Sequence, residues 1–176
     1  MAKMMKSIAI LCVVACVIFG ILNMILDTGA WLSLTITFGT IVYHFVMRLL
    51  VGHIFDKTMH NRADYTKKWF QVGAAELKFY NKIKVKKWKN KMPTYDPTLF
   101  SPEKHTWDEI AQAMCQAELV HETIAILSFL PILMTIWWDS FWVFLITSIA
   151  AAVLDSLFVM MQRYNRTRIL RLVKRK

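Results

Sequence analysis

The chain has 176 residues, is 56% hydrophobic and carries a formal charge of +10 at a mean hydropathy of +0.39. A water-soluble domain of this length needs less apolar residue than that to fill one core. The composition therefore argues against a soluble globular enzyme and for apolar blocks that cross a membrane, with the charges between them.

Residues 7–26 contain no charged side chain, and Asn23 is their only amide. Residues 30–47 are free of formal charge unless His44 is protonated. Residues 123–138 and 140–154 form further apolar blocks, separated by Asp139. A helix needs about 20 apolar residues to cross a hydrocarbon core of about 30 Å. The first blocks have that length. The later ones reach it if the third helix begins near Ala117 and the fourth continues to Met161, which puts Glu118, His121, Glu122 and Asp155 in or at the edge of the membrane. The expected fold is an all-α integral membrane protein with four transmembrane helices and a cytoplasmic, aromatic- and lysine-rich segment between helices 2 and 3. Its expected divisions are residues 1–52 (helices 1 and 2), 53–110 (the interfacial segment) and 111–176 (helices 3 and 4 with a basic tail). Lys3 and Lys6 precede the first block as in a signal peptide, but no small-x-small cleavage site follows Leu26-Asp27-Thr28-Gly29, so the block is read as retained. Cys12, Cys16 and Cys115 are an odd number and are read as reduced packing residues.

Residues 53–110 hold twelve of the 22 lysines and arginines, and seven more follow Gln162. The connections around Asp27 and Asp139 hold none. The positive-inside rule then places both termini and the central segment in the cytoplasm of a multi-pass cell-membrane protein, with Trp137, Trp138 and Trp142 at the outer interface. Within the central segment, residues 62–80 read as a helix and Ile83-Lys84-Val85-Lys86 alternates like an extended strand. Pro93, Pro97 and Pro102 mark turns, and a helix is expected to start at Thr106 or Asp108 and run into the membrane. Lysines interleaved with Tyr65, Trp69, Phe79, Tyr80 and Trp88 suit anionic headgroups, so membrane lipids are the expected partners and nucleic acid is not.

Ionisable groups within a bilayer are costly and are default candidates for function. The third helix carries Glu118, His121 and Glu122 at spacings that bring them together on its surface. The second carries His44 and Arg48, and the fourth Asp155, Gln162, Arg163, Asn165, Arg166 and Arg168. In the expected topology all of these lie in the cytoplasmic half of the bundle. A histidine bonded to a carboxylate can take the proton of a hydroxyl as that hydroxyl attacks a carbonyl, while arginines hold phosphate or developing negative charge. The competing readings are interhelical hydrogen bonds that only hold the bundle together and, for His44 and Arg48, snorkelling at the interface. No metal is expected: Ala125 stands where a zincin pattern begun by His121-Glu122 would need histidine, and Glu118-x-x-His121 has no second copy.

Three segments resemble a known family. Residues 76–93 read E-L-K-F-Y-N-K-I-K-V-K-K-W-K-N-K-M-P, residues 116–121 read Q-A-E-L-V-H, and residues 162–168 read Q-R-Y-N-R-T-R. In order and spacing they are similar to blocks of the glycosyl-4,4'-diaponeurosporenoate acyltransferases, from which the chain departs at Gln116, Glu122 and Thr167. The resemblance implies an integral membrane acyltransferase that places a fatty acyl group on a sugar hydroxyl of a glycosylated carotenoid. Together with the constellation above, it gives an expected activity at the cytoplasmic leaflet on a lipid-linked acceptor, a glycolipid or glycosyl carotenoid. His121 would be the general base, oriented by Glu118. Lys84, Lys86, Lys87, Lys89, Arg163, Arg166 and Arg168 would hold phosphates of an acyl thioester donor such as acyl-CoA, or lipid headgroups. Trp88, Tyr164 and Asn165 would shape the mouth of the site, and His44, Arg48, Glu122, Asp155 and Gln162 would support it. No bound cofactor is expected. The alternatives are a small membrane methyltransferase using S-adenosylmethionine and a non-enzymatic lipid- or carotenoid-binding scaffold. Acceptor identity, acyl chain and oligomeric state stay open.

Overall fold

Contiguous apolar residues in hydrocarbon can satisfy their backbone only within their own helix, and the structure follows that constraint. The computed structural model describes residues 2–26 and 28–173; Asp27 of the first expected turn and residues 174–176 of the basic tail lie outside the described residues, as does the side chain of Lys3. In chain order the α-helices are α1 (Ala2–Leu26), α2 (Gly29–Met59), α3 (Ala74–Lys82), α4 (Val85–Trp88), α5 (Trp107–Leu127) and α6 (Phe141–Val173). The chain is 82% helical, with no strand among the described residues, so the all-α expectation holds. Among the described residues four stretches are long and apolar enough to cross a membrane: Met4–Leu26, Gly29–Met59, Trp107–Ile136 and Phe141–Val173. Only 11% of the first apolar window is buried within the protein, and Leu11, Met24 and Ile25 are wide open. An apolar surface of that extent would drive aggregation in water and is at home in lipid.

The chain packs as two compact units, one built from Ala2–Val51 and Ile124–Leu154 and the other from Gly52–Thr123 and the chain from Asp155 onward. In the first, Phe19 stacks on Trp31 and leans on Phe38, and the Cys16 thiol reaches the Thr35 carbonyl at 3.5 Å. Ser33, Thr35, Thr37 and Thr40 each return their hydroxyl to the carbonyl four residues earlier, which keeps these polar atoms paired inside their own helix. The third span differs from a single long α-helix. α5 ends at Leu127, and residues Leu130–Ile136 continue as a 3₁₀-helix with Pro131 in its first turn. Proline brings no N–H to the ladder. The Leu127 carbonyl, orphaned by that break, accepts the Tyr43 hydroxyl at 2.8 Å.

In the second unit, α2 is stopped by consecutive left-handed residues, His60 (φ 51°) and Asn61 (φ 58°), and the Asn61 N–H donates to Gln116 Oε1 at 2.7 Å. The helix expected over residues 62–80 is instead interrupted. Asp64 caps a turn through the Thr66 N–H and hydroxyl, a short 3₁₀ turn spans Lys68–Phe70, and α3 begins only after extended Gly73. The strand expected at Ile83–Lys86 is also absent. Lys84 is left-handed (φ 55°) between α3 and α4, and this reversal lets Ile83 and Val85 both pack inward against Tyr80 and Tyr164. The alternation is real, but a helix–turn–helix produces it. Around the expected proline turns, Pro97–Phe100 forms a 3₁₀ turn capped by Asp96. The start of α5 agrees with the sequence: Thr106 and Glu109 form a reciprocal capping box, with Glu109 Oε2 accepting the Thr106 N–H at 2.8 Å and Thr106 Oγ1 accepting the Glu109 N–H at 3.3 Å.

A left-handed non-glycine residue costs roughly 1–2 kcal/mol. Lys84→Gly is therefore expected to raise the melting temperature of the detergent-purified protein by a few degrees, and Lys84→Val to lower it. Differential scanning fluorimetry of the variants reads both signs.

Candidate functional site

From Asp155 onward α6 turns one stripe inward. Asp155, Phe158, Gln162 and Arg166 recur at helical spacing and are all buried, Arg166 completely. On α5, Cys115 and Glu118 have no exposure either. A carboxylate taken wholly out of water requires cations and hydrogen bonds around it. Glu118 has both: Arg163 Nη1 donates to one of its oxygens and Arg166 Nη1 to the other.

Both guanidinium groups then donate to the connecting segment as well, while the buried Arg166 Nε has no hydrogen-bond partner among the described residues. Arg163 grips Glu76 with two bonds, Nε to Oε1 at 2.5 Å and Nη2 to Oε2 at 3.0 Å, and donates to the Trp69 carbonyl at 2.9 Å and the Gln71 carbonyl at 3.1 Å. Arg166 donates to the Phe70 carbonyl at 2.5 Å and lies over the Phe70 ring. Three successive carbonyls, Trp69 to Gln71, thus point at arginines rather than up a helix ladder. That is why the expected helix breaks there. Two arginines and two glutamates balance in charge, and fork geometry suits arginine to this work better than lysine. Most donors of Arg163 and Arg166, the arginines expected to hold phosphate, are engaged inside the protein.

His121 also departs from expectation. Its Nδ1 lies 2.8 Å from Asp155 Oδ1, and its ring stacks on Phe158 at 4.5 Å and 7°. The carboxylate that orients it is Asp155 on α6, not Glu118, because two arginines hold Glu118. The tautomer with its proton on Nδ1 donates to Asp155 and leaves the lone pair on Nε2. The imidazole keeps 23% of its surface exposed while Asp155 keeps 1%. Glu122 accepts the Trp69 indole N–H at 2.9 Å.

The remaining expected residues divide. Lys89 donates to Asn165 Oδ1 at 2.5 Å and sits over the Tyr164 ring, Tyr164 is buried with Tyr80 and Val85, and the Trp88 indole N–H meets the Ile83 carbonyl. Lys84, Lys86, Lys87 and Arg168 are exposed, and Gln162 is buried on α6. His44, buried on α2, and Arg48, bonded to the His44 and Ala151 carbonyls, belong to the other unit. Sequence reasoning passed over Glu76, Trp69 and Phe158; only Glu76 carried a signal, as the first residue of the quoted 76–93 segment.

Electrostatics in the connecting segment follow from these contacts. Burial pushes the Glu76 carboxyl up, but hydrogen bonds from Arg163 and Tyr80 and the Arg163 charge outweigh it and hold the group below its ordinary value. Burial, then the bond to Glu76, raises the Tyr80 hydroxyl. Burial, then the charges of Arg168 and Lys86, lowers the Lys89 ammonium.

A multi-pass α-helical membrane protein with a partly exposed histidine bonded to a buried carboxylate, beside an arginine clamp, is the class that fold and site define. Residues 61–175 match the sequence profile of the glycosyl-4,4'-diaponeurosporenoate acyltransferase family, and the chain belongs to that family. No curated protein and no solved structure matches it. The family description is that of an acyltransferase, the enzyme class expected from the sequence. All three quoted segments fall in the matched stretch, and the structure brings them together through Glu76–Arg163–Glu118–Arg166 and Lys89–Asn165.

Because the folded Glu76 carboxyl is depressed, its contribution to stability is complete above the ordinary glutamate value of 4.5 and is lost as pH falls through the lower folded value. Melting temperatures measured between pH 7 and pH 3.5 should fall more steeply for the wild-type protein than for Glu76→Gln. Parallel curves would contradict the Glu76–Arg163 linkage.

Proposed function

We propose that the protein is a membrane O-acyltransferase that moves a fatty acyl group from a thioester donor to a hydroxyl of a lipid-linked acceptor, a glycolipid or glycosyl carotenoid. The reaction runs at the cytoplasmic leaflet of the cell membrane, with both termini in the cytoplasm, in keeping with the concentration of lysine and arginine in residues 53–110 and after Gln162. The observation that carries the reading is the partly exposed His121 imidazole held at Nδ1 by buried Asp155, with no hydrogen bond to Nε2 among the described residues.

In this reading the acceptor hydroxyl gives its proton to His121 Nε2 as its oxygen attacks the thioester carbonyl. A new C–O bond forms, the carbonyl oxygen takes the negative charge, and the tetrahedral adduct collapses with cleavage of the C–S bond. The proton on Nε2 passes to the departing sulfur, which restores neutral imidazole. Asp155 positions the ring and stabilises the imidazolium formed on the way. Glu118, Arg163 and Arg166 act at a distance, by fixing α6 against α5 and the connecting segment so that Asp155 and His121 stay in register.

Reconstituted in liposomes with labelled acyl donor and glycolipid acceptor, His121→Ala is expected to lose acyl transfer by a factor of about 10²–10⁴, the usual worth of general base catalysis. Asp155→Asn should fall by a comparable factor while the protein still binds acceptor. Wild-type turnover in His121→Ala would remove the imidazole from the reaction.

A further inference from the structure

With Arg163 and Arg166 engaged by carboxylates and carbonyls, the phosphate of an acyl donor needs another cation. Two cavities in the second unit share one. The larger, of about 520 Å³, is walled by His60, Asn61, Arg62, His105, Glu109 and Gln112. The smaller, of about 360 Å³, is mainly apolar, with Met59, Trp69, Phe70 and Leu119 in its walls and Arg62, Asp64 and Lys67 as its charged members. Arg62 lines both.

Charge favours an anion in the larger cavity. Its one carboxylate, Glu109, is turned to the Thr106 N–H and hydroxyl in the capping box of α5 and lies 3.8 Å from His105 Nδ1. Arg62 is exposed, and among the described residues no carboxylate pairs with its guanidinium. The smaller cavity meets α5 at Leu119. Gln112, Leu119 and Glu122 follow one another in steps of seven and three residues on that helix, and Trp69, which walls the apolar cavity, bonds Glu122. From Gln112 to His121 the helix rises about 14 Å. A polar head and an extended acyl arm suit a cationic pocket, an apolar groove that shares Arg62 with it, and a base further along α5.

We propose that this cleft is the acyl-donor site, with the donor's phosphate against Arg62, His60 and His105 and its thioester arm in the groove of Met59, Phe70, Trp69 and Leu119, aimed at His121. The proposal rests on the acyltransferase reading. The shared chemistry is an acyl group on an arm that ends in a phosphate. It is either the thioester arm of an acyl coenzyme A or the ester-linked arm of a phospholipid, for which a C–O bond would break in place of the C–S bond.

Binding is measured on the purified full chain with S-hexadecyl coenzyme A, a thioether that cannot be transferred, and with lysophosphatidic acid. The wild-type protein should bind one of them, which identifies the source of the phosphate. Arg62→Glu should weaken that probe at least about tenfold, the worth of a hydrogen bond to a charged group, and Arg62→Ala less. S-hexadecyl pantetheine, which carries the arm without a phosphate, should bind wild type and variants alike. Failure of the wild-type protein to bind either phosphate probe, binding of the phosphate probe unchanged in Arg62→Glu, or equal weakening of the pantetheine probe overturns the assignment. Arg62-dependent binding by a protein that transfers no acyl group would instead sink the catalytic reading and leave the site standing.

Discussion

A carboxylate with no exposure, Glu118, sits between two arginines of the last helix, and the rest of the second unit is arranged around that fact. Burying one charge unpaired would cost several kcal/mol, so the carboxylate and its cations must arrive together. Having arrived, the guanidiniums carry more donors than one carboxylate can absorb. The surplus goes to Glu76 and to the carbonyls of Trp69, Phe70 and Gln71. Those acceptors belong to the segment between the second and third spans. The ion cluster thereby adds polar ties to two membrane helices, on top of the apolar packing that Phe70, Tyr80 and Val85 of this stretch already make.

Positioning of the histidine follows from the same competition. Helical spacing sets both Glu118 and His121 on one side of α5, yet Glu118 turns to the arginines and leaves His121 to Asp155. Each acid has the partner that best offsets its burial: two fixed cations for the fully enclosed glutamate, a half-exposed imidazole for the aspartate. The stacking of His121 on Phe158, one turn from Asp155 on α6, fixes the ring plane. An imidazole constrained on both counts is organised for proton transfer without needing to be rebuilt when substrate arrives.

Much of this was legible in the residues. The four spans were, because lipid demands long uninterrupted apolar runs, and the start of α5 was, because Thr106-Trp107-Asp108-Glu109 writes a capping box into the chain. The convergence of Glu118, His121, Asp155, Arg163 and Arg166 was also visible as charge in the wrong solvent. The pairing among them was not, since spacing along one helix says nothing about which side chain of another helix competes for it. Nor was the break at residues 68–73, whose cause lies in backbone carbonyls that carry no residue-type signature and in arginines 90 or so positions away. Ile83–Lys86 misled for a further reason: one left-handed residue, Lys84, makes a helical turn imitate the inside–outside alternation of a strand.

The claim that Glu118 is clamped by α6, and that this clamp holds the unit together, is tested most directly by a double-mutant cycle between Glu118→Leu and Arg166→Leu, read as unfolding free energy in mild detergent. Each single change leaves a buried charge short of its partner and should cost about 3–5 kcal/mol, whereas the double variant should regain a large part of that loss. Additive losses in the double variant would contradict the account.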